Sequence, residues 1–128
     1  MKRYLLIDDD YIFNLLHKRV FNIVDPLGEI TDFNNSIMAL EYIKQILDNG
    51  GSLPDYIFLD INMPEMDGFE LLDELINYSS DFFTSVKLYM VTSSLNDRDM
   101  EKAYSYPFLS GYIGKPLTVE SVKEIVVQ

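Results

Sequence analysis

Short apolar runs alternate with segments of helical period along almost the whole chain. Tyr4–Ile7 is an uninterrupted apolar run and predicts a buried strand. Ile12–Val24 follows. There Phe13, Leu16, Val20 and Ile23 recur at spacings of three and four, which predicts the buried face of a helix. On that reading His17, the single histidine, lies on the polar side as a surface residue. Asp25-Pro26-Leu27-Gly28 breaks the helix, and Glu29–Phe33 alternates as a short strand. Asn35 or Ser36 can cap a second helix that runs to Leu47 and buries Ile37, Leu40, Ile43 and Leu47. The turn cluster Asn49–Pro54 leads into a continuous strand, Tyr56–Asp60, and then a loop, Asn62–Gly68. Phe69–Ile76 is helical, with Phe69, Leu72 and Ile76 aligned. Ser79–Ser85 reads as a polar loop that tucks Phe82 and Phe83 inward, and Val86–Val91 is the fourth strand. Asp97–Tyr106 is a helix ended by Pro107, Leu109–Ile113 the fifth strand, and Thr118–Val127 a last helix capped by Thr118.

The order is strand then helix, repeated five times. Continuous apolar strands separated by helices imply an α/β fold with a parallel sheet covered on both faces. Right-handed crossovers then place every strand C-terminus along one edge, where ligands bind at the point of reversal in strand order. No internal repeat, low-complexity tract or linker interrupts the pattern. The expectation is a single domain over residues 1–128 with no output domain.

Composition narrows the function. A chain of 128 residues suits one core. The absence of cysteine removes disulfides, zinc-thiolate sites and thiol catalysis. No apolar run approaches the roughly 20 residues of a membrane span. Met1-Lys2-Arg3 precedes an apolar stretch that ends in acid too early for a secretory signal, so a cytoplasmic place is expected. A net charge of −11 repels a phosphate backbone, which argues against nucleic acid as a partner and favours basic protein surfaces.

The candidate chemistry sits at the strand ends. Asp8, Asp9 and Asp10 follow the first strand, Asp60 closes the third, Thr92-Ser93-Ser94 follow the fourth, and Lys115-Pro116 follow the fifth. If the first and third strands are neighbours, Asp8, Asp9 and Asp60 converge. A carboxylate cluster is costly to bury without compensation. A divalent cation and a lysine can supply it: Mg²⁺ takes oxygen ligands at about 2.0–2.1 Å and keeps several waters. Lys115 is a point charge able to hold a phosphoryl oxygen. Carboxylate, Mg²⁺, hydroxyl and lysine make a phosphoryl-transfer site, and a carboxylate can itself be the nucleophile, giving an aspartyl phosphate. Asp10 reads instead as the cap of the first helix, and Asp67-Gly68 as a turn and helix start.

The segments "IDDD" (7–10), "IFLDINMPEMDG" (57–68), "MVTSS" (90–94) and "GYIGKPL" (111–117) resemble, in order and spacing, the receiver domain of two-component response regulators. The resemblance covers essentially the whole chain. It implies a flavodoxin-like (βα)5 fold with sheet order 2-1-3-4-5. It also implies that Asp60 is the phosphoacceptor and that Asp8 and Asp9 bind Mg²⁺ (or Mn²⁺ in its place) together with Asp60 and the backbone carbonyl of Asn62. Thr92 would hydrogen-bond the phosphoryl oxygen, Lys115 would pair with it, and Pro116 would match the family's usual cis-proline. Tyr112 would be the aromatic switch. The implied donors are a histidine kinase or a histidine phosphotransfer protein. The output would be a protein bound on the surface of the last two helices and fifth strand, or a dimer formed on phosphorylation, and the domain would catalyse only its own phosphorylation and dephosphorylation. Leu117, where phenylalanine is common, and Gly114 depart from the pattern. Two other readings compete. A haloacid-dehalogenase-type phosphatase would use Asp8-x-Asp10, yet it needs a further acidic strand motif, and only Glu120 and Glu124, on a helix, follow the lysine. A receiver-like module could also bind partners without phosphorylation.

Overall fold

A computed structural model describes residues 1–93 and 96–126, so Ser94 of the "MVTSS" segment and Val127 of the last predicted helix lie outside the described residues. Five strands, β1 (Arg3–Ile7), β2 (Glu29–Phe33), β3 (Tyr56–Leu59), β4 (Lys87–Thr92) and β5 (Leu109–Gly114), form one parallel sheet in the order β2-β1-β3-β4-β5. The helices are α1 (Tyr11–Val24), α2 (Ser36–Asn49), α3 (Gly68–Tyr78), α4 (Asp97–Tyr104) and α5 (Val119–Val126). A 3₁₀ turn over Phe82–Thr84 lies between α3 and β4, in the segment expected to be a loop; it buries Phe82 and half-buries Phe83. Among the described residues no helix is long and apolar enough to cross a membrane.

The strand period of two sorts the core into two layers. Leu5, Ile7, Ile57 and Leu59 face α2 and α3, with Leu40, Ile43, Leu71, Leu72 and Leu75. Tyr4, Leu6, Tyr56 and Phe58 face the other side, where Phe21, Val122 and Val126 come from α1 and α5. β1 and β3 are central and buried on both faces, which explains their uninterrupted apolar runs.

The helix caps follow the sequence. Asp10 accepts the Ile12 N–H, Asn35 accepts the Met38 N–H, and Asp67 and Glu70 form a reciprocal capping box.

The buried face of α1 does not follow the expected one. Leu16 and Ile23 are 47% and 66% exposed, whereas Asn14, His17 and Phe21 are buried. Apolar spacing weighs every apolar side chain alike, but here tertiary polar partners turn the helix. The Asn14 amide donates to Asp8 O at 2.9 Å and to Phe33 O at 3.2 Å. His17 Nε2 accepts the Leu117 N–H, so His17 is a core residue. Phe21 packs its ring 4.8 Å from Tyr4 and 4.9 Å from Phe58. In α2, Ile37 is likewise exposed, because Ser36 turns inward and donates to Met66 O at 2.6 Å. In α3, Leu71 and Leu75 rather than Ile76 complete the buried face.

Candidate functional site at the C-terminal edge of the sheet

The register that pairs Ile7 with Leu59 sets the next residues of β1 and β3, Asp8 and Asp60, side by side at the edge. The backbone fixes both: Asp60 N–H donates to Ile7 O at 2.9 Å, and Asp8 N–H donates to Phe33 O at 3.1 Å. Asp8 and Asp60 are buried while Asp9 is exposed, and each of the three offers a carboxylate oxygen within 4.8 Å of the others. Asp10 caps α1, its carboxylate accepting the Ile12 N–H.

Lys115 arrives from the end of β5. Its Nζ lies 2.6 Å from Asp8 Oδ2 and 3.2 Å from Asp60 Oδ2, and its side chain is almost fully covered. The Phe13 ring closes the other side, with its centroid 4.5 Å from Nζ. Burial works against the ammonium, but Asp8 and Asp60 outweigh it and raise the Lys115 pKa. Burial, then the charge of Asp8, raises the pKa of Asp60 well above the carboxylate range, and Lys115 only partly offsets this. With all three carboxylates ionised, one ammonium leaves two negative charges unbalanced. An oxygen-only donor set of this charge fits a hard divalent cation such as Mg²⁺.

The other expected site residues lie around this cluster. Thr92 ends β4 and is fully buried, and its carbonyl accepts the Lys115 N–H at 2.9 Å. The Lys115–Pro116 peptide is cis. Asn62 is exposed in the loop two residues past Asp60. Tyr112 is half-buried on β5, with its ring 6.3 Å from that of Tyr104.

Sequence reasoning missed three supports of the site: Phe13, His17 and Gly68. Gly68 starts a helix, as its turn signal predicts, but it also abuts the backbone at the end of β3. A Cβ there would stand 2.5 Å from Asp60 O and 3.1 Å from Ile61 Cα, while the Gly68 N–H donates to Ile61 O at 2.8 Å. These are backbone atoms with no cheap retreat. Gly68→Ala is therefore expected to cost about 3 kcal/mol in urea unfolding, and to disturb the Asp60 loop. An unchanged midpoint would mean that this backbone yields.

His17 supplies a pH dependence. Burial, then the charge of Lys115, lowers its pKa from 6.5 to about 4. The unfolded chain therefore binds a proton that the folded one refuses, so the stability contributed by neutral His17 is full above its unfolded value and is lost as pH falls toward the folded one. Between about pH 7 and about pH 5, the wild type should lose about 1.5 kcal/mol more than His17→Gln. Paired urea titrations cancel the carboxylate contributions common to both proteins; parallel curves would place His17 in contact with water.

Comparison with known proteins agrees with this architecture. The model of the response regulator receiver domain family matches residues 4–127. The chemotaxis protein CheY of Halobacterium salinarum is 32% identical over 127 residues, covering 98% of this chain and 93% of its own. A probable methanogenesis regulatory protein, FilR2 of Methanothrix harundinacea, is 30% identical over 122 residues, covering 95% of this chain and 77% of its own. The crystal structure of a two-component response regulator from Cytophaga hutchinsonii superposes with a TM-score of 0.89 at 29% identity, covering 98% of this chain and 93% of that one.

Proposed function

This chain belongs to the response regulator receiver domain family of two-component signalling, and from that premise we propose that it accepts a phosphoryl group on Asp60 from a histidine kinase or phosphotransfer protein. The observation that carries the reading is the buried triad: one ammonium held between the carboxylates of Asp8 and Asp60 at the sheet edge. A carboxylate oxygen of Asp60 attacks phosphorus, the bond from phosphorus to the donor nitrogen breaks, and the donor imidazole leaves with the electron pair. Lys115 then exchanges its contact with the Asp60 carboxylate for one with the new phosphoryl oxygens, and Thr92 donates its hydroxyl to them. Asp8, Asp9 and Asp60, with the Asn62 carbonyl, would hold Mg²⁺, which neutralises charge on the transferred group.

Thr92 and Tyr112 carry the signal outward. As the Thr92 hydroxyl is drawn to phosphate, the half-buried Tyr112 ring turns inward and the surface of α4, β5 and α5 changes for a partner protein. Phosphodonors approach from the open side, where Tyr11, Ile12 and Leu15 of α1 stand exposed beside the acidic edge.

Intact mass after incubation with acetyl phosphate and Mg²⁺ tests the reading. One labile phosphoryl group is expected, and none in samples with chelator. No adduct, together with failure to bind beryllofluoride, would leave a phosphorylation-independent binding module.

A further inference from the structure

Helix α1 reaches the lysine loop at two points one turn apart. Phe13 covers the Lys115 ammonium, and His17, 4% exposed, accepts the Leu117 N–H through Nε2 at 3.0 Å across 100 positions of sequence. The two α1 rings lie 5.7 Å apart. The segment Lys115–Leu117 has only two amide protons, since Pro116 has none. Thr92 O takes the first and His17 takes the second. The strand thus holds the loop at one end and α1 holds it at the other, with the ammonium in between.

We propose that His17 is a positioning residue for Lys115: its neutral Nε2, acting through the Leu117 N–H, sets the loop so that the ammonium stays between Asp8 and Asp60 and meets the incoming phosphoryl group there. This rests on the reading above only in what Lys115 is positioned for. Packing of the buried Leu117 side chain against α1 and α5 also holds the loop. The test must therefore separate the acceptor from the bulk of the ring.

His17→Leu keeps bulk and removes the acceptor; His17→Gln places an amide oxygen where Nε2 accepts. Two readouts are compared in the full chain. The first is labelling of Lys115 by an amine-reactive N-hydroxysuccinimide ester without Mg²⁺, read by peptide mass and normalised to the partly exposed Lys18. The second is the affinity for beryllofluoride with Mg²⁺. His17→Leu is expected to raise normalised labelling and to weaken beryllofluoride, each by about tenfold, the worth of one buried hydrogen bond, while His17→Gln stays near wild type in both. Wild-type labelling in His17→Leu overturns the proposal. So does His17→Gln behaving like His17→Leu, because that makes the contact one of packing. If His17→Leu does not fold, His17→Gln decides alone: protected Lys115 and retained affinity support the acceptor, and exposed Lys115 overturns it. If wild type binds no beryllofluoride while the labelling pattern holds, the tether stands and the phosphoryl-transfer reading fails.

Discussion

Asp60→Asn is expected to reduce the labile phosphoryl adduct to background and, without Mg²⁺ at about pH 8, to make the protein more stable by about 2 kcal/mol. The first effect follows from chemistry: an amide oxygen is no nucleophile toward phosphorus, and in the proposed reading Asp8 and Asp9 hold the metal ion and do not attack phosphorus. The second follows from the environment of Asp60. Burial and the charge of Asp8 raise its pKa. A carboxyl whose folded pKa exceeds its unfolded one contributes stability at low pH, and that contribution is lost as pH rises through the folded value. The substituted amide does not titrate, so the advantage of the variant should grow from about pH 4 to about pH 8 and shrink when Mg²⁺ is added to the wild type. Lys115 keeps Asp8 as a partner at 2.6 Å in the variant, so no ammonium is stranded. Intact mass and urea unfolding check the two effects independently. An adduct that persists on Asp60→Asn would move the acceptor to Asp8 or Asp9. A variant less stable than wild type at high pH would mean that the ion pair with Lys115, and not desolvation, dominates at Asp60.

Lys115→Met has the next largest expected effect. Removing one partner of a buried ion pair typically costs about 3–5 kcal/mol, because the remaining charge stays buried and uncompensated. Here two carboxylates lose the same ammonium, while methionine keeps most of the volume beneath Phe13. The variant should therefore be about 3 kcal/mol less stable without Mg²⁺. An ion at about a hundred times its Kd should return about 2.7 kcal/mol, and the wild type, already partly compensated by lysine, should gain less. Beryllofluoride binding should fall by about a hundredfold, since a charge-assisted contact to a fluoride that stands in for a phosphoryl oxygen is lost. Urea unfolding at several Mg²⁺ concentrations decides the matter. If Mg²⁺ fails to narrow the gap between the two proteins, lysine and metal do not share these carboxylates and the proposed ion site is wrong.

Much of the protein was legible in the chain. The continuous runs Tyr4–Ile7 and Tyr56–Leu59 read as central strands because a strand buried on both faces has no polar alternation to show. Asn35 or Ser36 read as a cap, and Asp67-Gly68 as a helix start, because a side-chain oxygen one residue before a helix has few other uses; Asn35 and Asp67 are the residues that cap. The acids after β1 and β3 read as a site because carboxylates at the ends of adjacent parallel strands must meet, and the register brings Asp8 and Asp60 together as expected. The runs and the caps depend on residues within one turn or one strand of each other, and the meeting of the acids rests in addition on the adjacency of β1 and β3.

The remaining features depend on distant partners. Which face α1 buries was settled by Asp8 O, Phe33 O and the Leu117 N–H, groups that Asn14 and His17 meet only once the sheet has formed. Apolar spacing favours Leu16 and Ile23, because it carries no information about a hydrogen-bond partner 100 residues away. The close approach of Gly68 to Asp60 O and the cover of Phe13 over Lys115 are likewise contacts between separate elements. By itself the sequence determined the order of elements, the carboxylates and lysine at the strand ends, and the family. The tertiary structure alone decided which residues of α1 and α3 pack against those groups, because buried polar groups are placed by partners that the folded sheet brings within hydrogen-bonding distance.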